Sequence, residues 1–179
     1  EREMALAMAP EARVEVVPNG VDTEEFRPDA TVAEEPATLV FSGLMDSRSN
    51  VDGVLYFVRE ILPLVRREVP EVRLRILGQR PAPAVQALAK DPAIEVTGFV
   101  RDVRPLAQRG TVHVVPLRVG GGSRLKILQA LALEKAVVST TVGAEGLELT
   151  AGEHLVIADE AEAFARETVA LLRDGERRK

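Results

Sequence analysis

V-H-V-V-P-L-R-V-G-G-G-S-R-L-K-I-L-Q-A-L-A-L-E-K-A-V-V-S-T-T-V-G-A-E-G-L, residues 112–147, is the stretch that decides the fold. It reads as strand, glycine loop, helix, strand, glycine loop. Residues 112–115 are apolar and mostly β-branched, and Pro116 ends the run, which suits a buried strand. Gly120, Gly121 and Gly122 let the backbone approach something that a Cβ would repel. Ser123 is a good N-cap, and residues 124–133 have the composition of an apolar helix. A glycine loop that feeds a helix N-terminus receives anions, because unpaired N–H groups and the helix dipole both point at the ligand. Arg124 and Lys126 add two positive charges there. The pattern predicts a phosphate site.

Spacing refines this. Residues two apart do not share a helix face, so Arg124 and Lys126 cannot both lie along one side of a regular helix. Lys126, Gln129 and Ala130 do share one. Three residues climb roughly 4.5 Å, about the step from a nucleotide's phosphates to its ribose. On this reading Lys126 holds diphosphate and Gln129 reaches ribose hydroxyls, while Arg124 sits in an irregular opening turn. The same residues also fit a capped core helix with snorkelling basic side chains and a solvated glutamine, and spacing alone leaves both open.

The stretch resembles the donor-binding half of GT-B glycosyltransferases, in particular the large retaining family called family 4, the group 1 glycosyl transferases. Residues 120–146 are similar to the subgroup with a G-G-G-[ST]-R-x-K-x-x-E-A pattern followed by a P-V-V-S/A-T-like strand. Pro18-Asn19-Gly20-Val21-Asp22 with Phe26-Arg27-Pro28 is a second hallmark, found in that family where the chain crosses from acceptor to donor domain. By itself it is an ordinary turn cluster.

Composition agrees with a soluble globular protein. The 179 residues are 46% hydrophobic and 28% charged, which suits one domain with a real core. A net charge of −5 gives no electrostatic footprint for nucleic acid. The absence of cysteine excludes disulfides and thiolate metal sites and fits a cytoplasmic protein. The two histidines, His113 and His154, lie in apolar runs and read as structural. No apolar run is long enough to span a membrane, and the first ten residues are not a signal peptide. The abrupt start and the Arg177-Arg178-Lys179 end, which reads as mid-helix, suggest part of a longer protein.

Along the chain, residues 14–17 are a small strand candidate and residues 29–36 a loop. A strand over 38–41 ends at Ser42-Gly43. An amphipathic helix over 51–68 keeps a three-four apolar spacing, with Asn50 as N-cap and a kink at Pro63. Strand 72–77, helix 81–90, strand 94–96 and a helix opened by Asp102 and closed by Gly110 follow. After the central stretch come a strand over 154–157 and a helix from Asp159 past Leu172. Strands and helices alternate about six times. The expected fold is α/β: a Rossmann-like, doubly wound parallel sheet of about six strands with helices on both faces. Gly43, Gly78, Gly98, the Gly120 loop and Gly143 all follow strands, so they gather at the strand C-terminal ends, where such sheets bind ligands. No dinucleotide fingerprint, P-loop, nucleophile elbow or metal-ligand spacing is present.

The resemblance implies more than the residues alone. It implies residues 1–36 as the crossing segment and residues 37–179 as a nucleotide-sugar (donor) domain, with an acceptor domain this chain does not carry. The implied reaction moves a sugar from a nucleoside-diphosphate sugar to a polysaccharide, lipid-linked or small acceptor, with retention and without metal or other cofactor. Arg124 and Lys126 become the catalytic residues that stabilise the leaving diphosphate. The loop Gly98 to Val100, with Gly98 and Val100 as its binding residues, resembles the segment whose backbone meets the base. Gly143 and Glu145 resemble the loop near the donor sugar. The family extends to proteins peripherally bound at a membrane face. Two departures stand out. Leu44 and Asn50 occupy positions where many members carry an Arg and a Lys, so Arg124 and Lys126, helped by Arg48, are expected to supply that charge. Gly121 and Gln129 stand in place of a Glu pair, and an amide offers ribose only one acceptor oxygen. A GT-B epimerase and a non-catalytic nucleotide-binding module are the alternative readings.

Overall fold

The computed structural model describes residues 2–120 and 124–179. Its strands are β1 (Thr38–Ser42), β2 (Arg73–Leu77), β3 (Ile94–Val96), β4 (Val112–Val115), β5 (Ala136–Ser139) and β6 (Val156–Ile157). Its helices are α1 (Arg2–Met8), α2 (Arg48–Tyr56), α3 (Leu62–Glu68), α4 (Pro83–Gln86), α5 (Arg104–Gln108), α6 (Leu125–Ala132), α7 (Thr141–Ala144) and α8 (Ala161–Arg173). All pairings are parallel and the sheet order is β3-β2-β1-β4-β5-β6. This is the doubly wound order, with its reversal point between β1 and β4, and the Rossmann-like fold class is as the sequence implies.

Alternation along the strands assigns the two faces. Leu39, Phe41, Leu74, Ile76, Val112 and Val114 join the larger core, which takes in Phe57, Ile61 and Val65 of the 48–68 helical run and Phe164 and Val169 of α8. The Phe57 and Phe164 rings meet edge to face with centroids 6.0 Å apart. The intervening residues Val40 and Leu77 face the other way. They pack with Ala107 of α5, with Leu133, and with Phe26 and Leu106.

Several local expectations are corrected. Residues 14–17 form no strand: Val16 and Val17 are 67% and 86% exposed, and the segment pairs with none of the described strands. The first long helix begins at Arg48 with Ser47 in the N-cap position, so Asn50 lies inside the first turn with its side chain buried. Pro63 does not simply kink this helix. The chain widens into a π-turn at Phe57–Ile61, with Leu62 N–H bonded to Phe57 O, and restarts as α3 with the proline in its first turn. A wider turn accommodates a ring that has no N–H and would crowd the carbonyl four residues back. The 81–90 helix is a short α-turn followed by a 3₁₀ turn at Ala87–Lys90. Asp102 does accept the Arg104 N–H, although Val103 holds the N-cap position. Asp159 does not open α8. Its carboxylate receives the Thr141 N–H and hydroxyl at 2.7 Å each and anchors α7. α8 ends at Arg173, where Asp174 turns the chain by accepting the Glu176 and Arg177 N–H groups.

Residues 22–36 are tied down as a strap. Gln108, buried on α5, accepts the Asp29 N–H and donates to the carbonyls of Asp29 and Val32. Glu35 pairs with Arg75 at 2.8 Å, and Arg75 also reaches Glu95 at 2.6 Å. No described helix is long and apolar enough to cross a membrane.

Candidate functional site

The loops that leave β1, β2 and β3 meet α5 and α6 around a cleft of about 460 Å³. It lies beside the reversal point, where strand C-terminal ends diverge. Close approach of two of these loops requires glycine. Gly43 and Gly78 have φ of 153° and 155°, and a Cβ on Gly78 would stand 1.7 Å from the Gly43 carbonyl oxygen. A Cβ on Gly43 would stand 2.6 Å from the Asn50 amide nitrogen. Gly98, Phe99, Val100 and Val103 line it from the β3–α5 side of the chain, Leu125, Lys126, Gln129 and Leu133 from α6 and the residue after it, and His113 from β4. Lys126, Gln129, Ala130 and Leu133 thus share one face, as their three-four spacing requires.

Lys126 is the charged group of this cleft. Its ammonium donates to Asn50 Oδ1 at 2.6 Å and sits 4.5 Å from the centroid of the Phe41 ring. Asn50 is itself oriented by donating to Leu44 O at 3.0 Å. Among the described residues no carboxylate pairs with Lys126. Desolvation, and secondarily the positive charge of Arg124, pull its pKa down to about 7. A lysine held in such surroundings is costly, and its opposite charge is supplied most simply by a ligand.

Arg124 is turned elsewhere. It is 4% exposed at the start of α6, and its Nη2 donates to the carbonyls of Gly120 and Val142, at 2.9 Å each. The Glu145 carboxylate lies 3.7 Å away. Arg124 therefore braces Gly120 against α7, and none of Gly120, Arg124, Gly143 and Glu145 lines the cleft. Gly143 has a packing reason of its own: a Cβ there would meet Ser139 Oγ at 2.4 Å and Val115 O at 2.6 Å. Gly121, Gly122 and Ser123 lie outside the described residues. Arg48 is exposed and does not line the cleft.

His113 fits its structural reading. It is buried, its Nε2 donates to Ala107 O at 3.0 Å, and desolvation lowers its pKa to about 4, so it is neutral at physiological pH. Phe26, Gln79 and Val103 also line the cleft without having been expected there, and Phe99, inside the expected Gly98–Val100 loop, adds its side chain. Phe26 carried a signal in its F-x-P motif, and Phe99 in being an aromatic beside a loop glycine. A second hollow, about 550 Å³, lies at the opposite sheet edge. Its Lys135, Arg177, Arg178 and Lys179 already pair with Glu34, Glu167 or Glu176.

A doubly wound sheet with a cationic cleft at its reversal point defines a Rossmann-like domain suited to an anionic ligand. The sequence profile of the family "Glycosyl transferases group 1" matches residues 36–174, and the chain belongs to that family. An uncharacterised 44.6 kDa protein from the cps region of Klebsiella pneumoniae is 26% identical in a 139-residue alignment that covers 73% of this chain and 36% of that protein. The chain thus spans about a third of the length of this curated relative. The C-terminal domain of a group 1 family glycosyl transferase from Francisella tularensis superposes with a TM-score of 0.70 at 19% identity, covering 89% of this chain and 91% of that one. Anabaena HepE, solved with UDP and glucose, gives 0.67 at 13% identity over 91% of this chain and 48% of its own. S. aureus TarM, solved with fondaparinux, alpha-GlcNAc-glycerol and UDP, gives 0.70 at 14% identity over 99% and 36%. At these identities the solved structures establish the fold.

Proposed function

We propose that this chain is the donor half of a glycosyltransferase: it binds a nucleoside-diphosphate sugar in the cleft between α5 and α6, and a further domain presents the acceptor. Residues 37–179 form the donor domain and residues 1–36 the crossing segment. The observation that carries this is Lys126, a half-buried ammonium aimed by Asn50 into a cleft at the sheet's reversal point. Family membership and the UDP held by HepE and TarM support it.

In the proposed reaction the bond from the anomeric carbon to the diphosphate oxygen breaks, and its electron pair stays on the departing diphosphate. Charge grows there, so a fixed cation gains strength as the transition state forms. Lys126 is that cation. Arg124 contributes by holding Gly120, and no metal is invoked. Gln129, one turn above Lys126, offers a ribose hydroxyl one acceptor oxygen and an NH₂ donor. Transfer with retention to a saccharide or lipid-linked acceptor is the form the family resemblance favours.

The test is titration of the 179-residue chain with UDP, GDP and ADP, followed by backbone amide NMR. Shifts confined to the Gly98–Val100 loop and the start of α6, for one nucleotide above the others, are expected. Lys126→Met should weaken that nucleotide roughly ten- to a hundredfold, the worth of a charge-assisted bond. Unchanged affinity in Lys126→Met overturns the reading.

A further inference from the structure

The chain has five phenylalanines. Phe41, Phe57 and Phe164 are no more than 1% exposed and belong to the main core. The other two, Phe26 and Phe99, both line the candidate cleft. Phe99 is 75% exposed, so it contributes little to the core, and it follows Gly98, whose φ of 66° turns the loop after β3. Phe26 comes from the strap, ahead of residues 36–174 that match the family. Its ring rests on the smaller core around Val40, Leu77 and Ala107.

The strap is built to present that ring. Asp22 Oδ1 accepts the N–H groups of Glu24 at 2.9 Å and Glu25 at 3.0 Å, while Asp22 O accepts the Phe26 N–H at 2.8 Å. Arg104, at the start of α5, donates to Glu25 O at 3.0 Å. A turn closed by an aspartate side chain is locally determined, and here it is fastened to the helix that walls the cleft. Of the cleft's lining residues, Phe26, Phe99, Val100 and Val103, from the strap and the β3–α5 connection, carry no charge, whereas α6 contributes Lys126. Such a division suits a ligand with a flat apolar part at one side and an anionic part at the other.

We propose that Phe26 and Phe99 form an aromatic wall that holds the base of the nucleotide, so that the strap is part of the donor site. This rests on the donor-site reading, and it assigns the P-N-G-V-D and F-x-P motifs a role in ligand binding. Stacking depends on the π-face that every base has, so the wall supplies affinity to any base.

The experiment titrates the wild-type chain, Phe99→Ala, Phe26→Leu and Lys126→Met with UDP, ADP and inorganic diphosphate. Calorimetry gives the affinities, and the base protons are followed by NMR. Phe99 is exposed, so its variant keeps the fold. Phe26→Leu keeps apolar volume and loses the π-face. Both should bind UDP and ADP roughly five- to a hundredfold more weakly, bind inorganic diphosphate as before, and lose the upfield ring-current shift of the base protons. If Lys126→Met weakens all three ligands while both phenylalanine variants bind nucleotides like the wild type, the aromatic wall is wrong and the donor site stands. If wild-type chain binds no nucleotide at millimolar concentration, or Lys126→Met changes nothing, the donor site itself is wrong and the wall falls with it.

Discussion

At Lys126 stability and binding pull in opposite directions. The unfolded lysine keeps its ordinary pKa of 10.5 and the folded one sits at about 7, so between these values the unfolded chain binds more protons. Stability therefore rises with pH across that window, and the cost of burying the ammonium is fully present below about pH 7. Lys126→Met should raise the melting temperature at neutral pH while weakening nucleotide binding; a lower melting temperature would argue that the Asn50 contact is a net stabiliser. An arriving diphosphate restores the missing negative charge and raises the lysine pKa, so binding takes up a proton. Nucleotide-sugar affinity should hold below about pH 7 and fall above it. Calorimetry in two buffers of different ionisation enthalpy reads this uptake directly, and equal heats in both would refute it. His113 supplies the acid limb. Its pKa of about 4, against 6.5 when unfolded, means that stability is lost as pH falls from about 6.5 to about 4, by about 3 kcal/mol in all. His113→Leu should flatten that part of the pH–stability curve.

Among the elements, α6 shows how a helix end is set by local chemistry. Lys135 N–H bonds Ala130 O and Glu134 N–H bonds Leu131 O, the paired pattern that closes a helix through a left-handed residue. That residue is Glu134, with φ of 55°, where glycine carries no Cβ strain. Glu134→Gly should stabilise the chain by about 1 kcal/mol, visible as a higher urea midpoint with an unchanged slope. Gly78 is the reverse case. A side chain there collides with the Gly43 carbonyl, and Gly78→Ala should cost about 3 kcal/mol or more and disturb the cleft. An alanine variant of wild-type stability would mean that the loops after β1 and β2 can separate freely.

For the molecule as a whole, the strap and the domain are one folded unit. Gln108 links α5 to Asp29 and Val32 through three hydrogen bonds, two of them to backbone carbonyls. Gln108→Ala strands those groups, which costs about 1–3 kcal/mol. Faster proteolysis within residues 22–36, with the sheet still intact, is the expected readout.

Element types were largely legible because strand alternation, helix periodicity and glycines after strands are written within a few residues of one another. They determine the parallel doubly wound sheet, the edge at which ligands gather, and the shared face of Lys126 and Gln129. The sequence did not reveal what meets across long separations. Lys126 finds Asn50, 76 residues away, and only that contact shows Asn50 as an orienting acceptor rather than a helix cap. Arg124, adjacent to the phosphate motif, turns to the carbonyls of Gly120 and Val142 because β4 and β5 are neighbours in the sheet. Phe26 reaches the cleft because Gln108 and Arg104 fasten the strap to α5. Periodicity assigns a residue to a face of its own element; which partner that face meets depends on the packing of the whole chain.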